Sequence, residues 1–169
     1  MAARIPVFVS APSALSADQQ ASYDFIVGLL ASEHFEHRAL GRTDYGVDFP
    51  LKEVFSIARH CSGGVILGFE QMRAARVESK PGTASSKTLR NVSFPTPWNN
   101  LEAGILFGLR LPLLVFRQKG IHGGVFDNGV SDVFIQALPD SAPDPDTAIQ
   151  IGIVVKHWAG KVRENYRSY

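Results

Sequence analysis

The sequence predicts an α/β fold, a three-layer sandwich with a central, mostly parallel sheet. Three observations carry that reading. Short, continuous apolar runs rich in β-branched and aromatic residues occur at Pro6–Ser10, Gly64–Phe69 and Leu113–Phe116, the pattern of strands covered on both faces. Segments with apolar residues at helical spacing lie between them. Strand and helix alternate, and right-handed crossovers then put helices on both faces of the sheet.

The elements follow in order. Pro6-Val7-Phe8-Val9-Ser10 is the first strand. Asp18 to Ala31 is a helix carrying Tyr23, Ile26, Val27 and Leu30. Phe35 to Leu40 is more polar and is expected near a sheet edge. Asp48 is expected to cap a helix that begins near Pro50 and buries Leu51, Val54, Phe55 and Ala58. After the Gly64–Phe69 strand comes a polar insertion at about 71–94, with Arg73, Arg76, Lys80, Lys87 and Arg90 against only Glu78. A lid, an interface, a phosphate contact and a solvated loop all fit it. Thr96-Pro97 starts the next helix, a capping hydroxyl followed by proline at the first helical position, with Trp98, Leu101, Ile105 and Leu109 as its apolar stripe. Val133-Phe134-Ile135 is a short fifth strand candidate, and 138–146 reads as a turn-rich connector. The last helix, from about Asp146 to Tyr166, places Ile151, Val154, Val155, Trp158 and Val162 on one side.

Length and composition bound the function. The 169 residues fit a single domain spanning 1–169. A formal net charge of +1 gives no whole-chain argument for nucleic acid, and no nucleic-acid partner is expected. The single cysteine, Cys61, excludes an internal disulfide and a four-cysteine zinc site and suits a cytoplasmic location. The five histidines show no metal-binding spacing, so no metal is expected. The apolar runs are too short for a membrane span or a signal-peptide core.

In open parallel sheets, ligands bind beyond the carboxyl ends of the strands. That rule directs attention to Ser10-Ala11-Pro12, to Phe69-Glu70 and to the loop after Phe116. The most informative stretch is Phe94-Pro95-Thr96-Pro97-Trp98-Asn99-Asn100-Leu101-Glu102-Ala103-Gly104. Glu102 stands four residues after Trp98, so indole and carboxylate share a helix face, and the helix dipole favours the ionised acid. An aromatic plate beside a carboxylate suits a sugar bearing a flat base. Trp98 as a core residue and Glu102 as a surface charge fit the local pattern equally well. Asp44, Glu70 and Asp127 are candidates for a second acid, with Glu70 the best placed. Arg42 and Tyr45 fit a pyrophosphate and base contact, or an ordinary polar loop. His122 lies in a glycine-rich loop, 120–129, that lacks the P-loop arrangement but offers backbone N–H groups to phosphate. Tyr166 and Tyr169 close the chain.

The V-F-V-S strand, the glycine- and hydrophobe-rich middle strand and P-W-N-N-L-E together resemble a Toll/interleukin-1 receptor (TIR)-like domain, over roughly Ile5 to Phe116. The resemblance implies a flavodoxin-like, TIR-like architecture with Glu102 as the catalytic residue. It implies Ser10, Ala11, Pro12, Phe69, Glu70, Trp98 and Asn99 around the substrate, with Arg42, Tyr45 and His122 as further phosphate or base contacts. Asn99 stands where many TIR domains have cysteine. The implied activity is cleavage of the nicotinamide–ribose bond of NAD, with hydrolysis or cyclisation of ADP-ribose into a messenger in bacterial anti-phage defence. NAD is then substrate, no further cofactor is needed, and a homo-oligomer is expected. The chain is also similar to nucleoside 2-deoxyribosyltransferases, which implies a nucleoside or nucleotide N-glycosidase or transferase as the alternative. A non-catalytic nucleotide-sensing or TIR–TIR assembly module is the alternative of another class.

Overall fold

The most apolar runs occupy the middle of the sheet. The computed structural model describes residues 4–131 and 133–168. Its elements run β1 (Ile5–Ser10), α1 (Ala17–Ser32), β2 (Phe35–Arg38), α2 (Pro50–Ala58), β3 (Gly64–Gly68), β4 (Met72–Ser79), β5 (Lys87–Phe94), α3 (Pro97–Gly108), β6 (Leu113–Arg117), β7 (Ile135–Ala137) and α4 (Pro145–Arg167). Five strands form one sheet in the order β2-β1-β3-β6-β7, and every pairing in it is parallel. With the β4–β5 hairpin set aside, that is the flavodoxin-like order, whose topological switch point lies between β1 and β3.

Alternation along the strands sorts the core into two halves. Val7 and Val9 of β1, Val65 and Leu67 of β3, and Leu114 and Phe116 of β6 pack with Tyr23, Ile26 and Leu30 of α1 and with Ile151, Val155 and Trp158 of α4. Phe8, Ile66, Leu113 and Val115 face the other way, onto Val54 and Ala58 of α2 and Ala103 and Leu106 of α3. These two half-cores are the sandwich that the sequence predicts, with α1 and α4 on one face and α2 and α3 on the other.

Local chemistry sets the helix ends. Ser16 and Gln19 form a capping box at the start of α1, each side chain bonded to the other's backbone N–H. Thr96 caps α3 through Oγ1, which accepts from the Trp98 N–H, and Asp144 caps α4 through the N–H groups of Asp146 and Thr147. On α4, Trp158 donates Nε1–H to the Pro112 carbonyl at 3.0 Å and meets the Phe35 ring edge-on at 5.6 Å.

Several expectations are corrected. The insertion at 71–94 is an antiparallel hairpin, β4 with β5, rather than an irregular loop. The cap of α2 is not Asp48: the N-cap is Phe49, and Glu53 reaches back to accept from the Val47 and Asp48 N–H groups while Asp48 pairs with Lys52. Leu51 and Phe55 are exposed; α2 buries only Val54 and Ala58. On α3 the buried residues are Asn99, Ala103 and Leu106, while Trp98 and Leu101 of the expected stripe face outward. The second strand ends at Arg38, and the fifth strand of the sheet is Ile135–Ala137, starting where the expected one ends. Tyr169 lies outside the described residues.

Gly68 closes β3 where no side chain fits, because a Cβ there would land on the Phe126 ring in the core. Gly68→Ala is expected to lower stability by about 1–3 kcal/mol through overpacking. Denaturant unfolding of the variant beside the parent chain checks this; an unchanged midpoint would contradict the packing account.

Candidate active site

Strand alternation delivers the first site residue. Phe8 faces the α2/α3 side, so Ser10, two residues on, projects from the carboxyl end of β1 toward α3. The Thr96-Pro97 start brings α3 in against that end. Its first-turn residue Asn99 is wholly buried and donates Nδ2–H to Ser10 Oγ at 2.8 Å, with longer contacts of 3.4 Å to the carbonyls of Ser10 and Leu67. One amide thus ties α3 to both strands that flank the switch point. Asn99 Oδ1 has no hydrogen-bond partner among the described residues.

Glu102 lies three residues further along α3. The residue is half-buried, and its carboxyl lies close enough to the Ser10 side chain to feel the hydroxyl. Burial raises its pKa to about 7, and the Ser10 hydroxyl opposes the rise. The Ser10 hydroxyl accepts from Asn99, which leaves its own proton free for another acceptor. Trp98, four residues before Glu102, is 40% exposed. The arrangement offers one half-buried carboxyl near the β1–β3 crevice, with an accessible aromatic surface a turn away on the same helix.

The other expected site residues have different surroundings. Phe69 is fully buried among the α1/α4 half-core, on the opposite sheet face from Glu102. Ala11 packs against the same half-core. Asn99 touches strands rather than open space, which makes it a clamp beneath the site instead of a substrate contact. Pro12 is buried, and its carbonyl accepts from Arg42 at 2.7 Å. The Arg42 guanidinium also stacks 4.4 Å from the Tyr23 ring centroid, so it secures the loop after β1. Tyr45 is 80% exposed in the loop before α2, and His122 is exposed.

Each of the proposed second acids is engaged by other groups of the protein. The Glu70 carboxylate accepts from Ser93 and Arg73, which hold its pKa below the usual range. Asp44 is held down by its hydrogen bonds from Arg38, and Asp127 accepts from the Gly123 N–H at 2.8 Å. In the glycine-rich loop, the Val125 N–H is likewise occupied, by Asn100 Oδ1 at 2.9 Å. That loop is built around protein acceptors. Burial pushes the Cys61 thiol up to about 12, which removes it as a nucleophile near neutral pH.

Sequence reasoning missed the bracket that fixes the end of β3. Gln118 Oε1 accepts from the Glu70 N–H at 2.9 Å and from Gln19 Nε2 at 3.1 Å, and Gln19 also donates to the Glu70 carbonyl. No periodicity marks two glutamines 99 residues apart.

No protein-family model matches this chain, and no curated protein matches it. No group of three or more His, Cys, Asp or Glu side chains among the described residues has the arrangement of a metal site. No described helix is long and apolar enough to cross a membrane.

The raised Glu102 pKa has a consequence for stability. Between its unfolded value of 4.5 and the folded value of about 7, the native state binds more protons than the unfolded chain. Stability therefore falls as pH rises through that window. Glu102→Gln is expected to stabilise the protein by about 2–3 kcal/mol at pH near 8 and to have little effect near pH 4. Chemical denaturation at the two pH values checks this, and a gain of equal size at both would refute the burial account.

Proposed function

We propose that this protein is a TIR-like enzyme that cleaves the nicotinamide–ribose bond of NAD, with Glu102 as its catalytic residue. The observation that carries the reading is the half-buried Glu102 beside Ser10 at the switch point, with Trp98 accessible one turn before it. In NAD the C1′–N1 bonding pair leaves with nicotinamide and neutralises its ring, so departure needs no proton. What the reaction needs is stabilisation of the oxocarbenium-like C1′, which a desolvated carboxylate supplies by charge or by a covalent bond. Water then adds to give ADP-ribose and a proton, or an adenine nitrogen attacks to give a cyclic product. The engagement of Glu70, Asp44 and Asp127 with other groups fits a leaving group that requires no second acid. Trp98 supplies a surface on which a flat base stacks.

The same pKa near 7 favours a second reading, in which protonated Glu102 acts as general acid on a neutral nucleoside, as a glycosidase or deoxyribosyltransferase would require. The two predict opposite pH limbs. For NAD cleavage, kcat/KM rises with pH through about 7 as Glu102 ionises, and Glu102→Gln lowers kcat by about 100-fold or more. Nicotinamide release measured across that range, with nucleosides assayed in parallel, decides between them. Equal rates for the parent and Glu102→Gln would remove the acid from the chemistry. Activity that falls above pH 7, on nucleosides alone, would select the second reading.

An assembly role is favoured by a different surface. Tyr45, Val47, Phe49, Leu51 and Phe55 are all exposed within the α2 loop and the first turns of α2. Clustered exposed apolar groups of this kind mark interaction sites. Phe49→Glu is expected to shift a concentration-dependent oligomer toward monomer in sedimentation velocity; a parent chain that stays monomeric at every concentration would end this reading.

A further inference from the structure

The β4–β5 hairpin carries most of the charge asymmetry of the chain. Between Met72 and Phe94 stand five Lys or Arg residues and one acid, so the rest of this chain, whose total is +1, is net acidic. The two strands pair with each other and join no other strand of the sheet; at the base, Ser93 makes an isolated bridge to Ile121. Arg73 at the base is occupied by Glu70. Arg76, Lys80, Lys87 and Arg90 are exposed and have no salt-bridge partner among the described residues. Arg76 and Arg90 are also register partners, directly opposite one another. Like charges in that position destabilise a hairpin, so an anion bound between them removes a standing cost.

We propose that this hairpin is a docking arm for double-stranded DNA, lying along a groove and holding phosphates with Arg76, Lys80, Lys87 and Arg90. The inference is independent of the role given to Glu102. The four cations occupy the outer half of the ribbon, from the Arg76–Arg90 pair to Lys80 at the turn, a span of roughly 13 Å that reaches more than one phosphate of a strand. They also lie on both faces: alternation puts Arg76 and Arg90 on one face and Lys87 on the other, with Lys80 at the turn. A groove has a phosphate wall on each side, whereas a lipid surface has one side. The turn, Lys80-Pro81-Gly82-Thr83-Ala84-Ser85-Ser86, carries no large apolar residue to enter a bilayer. The major groove of B-form DNA admits a two-stranded ribbon, and the narrow major groove of RNA does not.

The test is fluorescence anisotropy of a labelled DNA duplex of about 20 base pairs with the full chain, titrated at salt between about 50 and 200 mM. Four phosphate contacts predict a slope of log K against log salt near −3.6, or roughly a 100-fold loss of affinity across that range. Arg76→Ala with Arg90→Ala is expected to reduce the slope to about half, and Lys87→Gln by about one unit. Circular dichroism confirms that each variant is folded; if the double variant is not, Lys87→Gln alone decides. Absence of binding at low salt, or a slope that the variants leave unchanged, overturns the proposal. Binding to phosphatidylserine vesicles without binding to the duplex overturns it in favour of a membrane surface. An RNA duplex of the same sequence held as tightly overturns the groove placement.

Discussion

A single buried amide joins the parts of the candidate site. Asn99 sits where β1 and β3 diverge toward helices on opposite faces, and it bonds to groups of both strands from the first turn of α3. Leaving such an amide without partners in the interior would cost about 1–3 kcal/mol, so its position is constrained by all three elements at once. The Ser10 hydroxyl inherits its orientation from that constraint, and Glu102 inherits its neighbour from Ser10. A surface glutamate would have an ordinary pKa. This one is drawn partly out of water by the packing of α3, which buries Asn99 and Ala103 on either side of it in the sequence.

That position opposes stability, since the charged form of Glu102 is disfavoured in the folded protein. The two half-cores offset it. On the α3 side, Gly64 and Gly68 remove side chains from β3 so that Leu106 and Phe126 can pack directly on the strand. On the opposite side, Trp158 and Phe35 join α4 to the edge of the sheet, and Arg163 ties α4 to Glu33 at the end of α1. The cost of a partly desolvated acid is concentrated at one residue, and apolar burial far from it supplies the stability, as is common where a site needs a perturbed group.

How much of this was legible depended on the range of the interaction. The three buried strands and the start of α3 at Thr96-Pro97 are local signals, and they stand where the sequence predicts them. Which face a strand residue adopts is not local. Phe69 follows β3 as Ser10 ends β1, yet the register pairs Ser10 with Ile66, so Gly68 shares the face of Ser10 and Phe69 takes the opposite one. A one-residue difference in phase separated a core residue from a site residue. The apolar stripe on α3 failed for a related reason. Trp98 and Leu101 follow helical spacing, but the face that packs is chosen by a polar residue, Asn99, whose partners come from strands more than 30 residues away. Spacing identifies a helix; it does not say which face is inward when a buried hydrogen bond competes with an apolar stripe.

Net charge, too, averages over distance. A chain near neutrality gives no long-range field to argue from, but a screening length of about 8 Å at physiological salt makes charge a local property. The hairpin extends beyond that length and its strands pair only with each other in a sheet of their own. Of the acids nearest in sequence, Glu70 is paired with Arg73, while Glu78 keeps its charge within the arm and accepts only from the Ser86 hydroxyl. What an approaching anion meets at the arm is therefore set by four exposed cations and one acid, and not by the total of the chain. Sequence composition hides this because opposite charges cancel in a sum whether or not they are near enough to cancel in space.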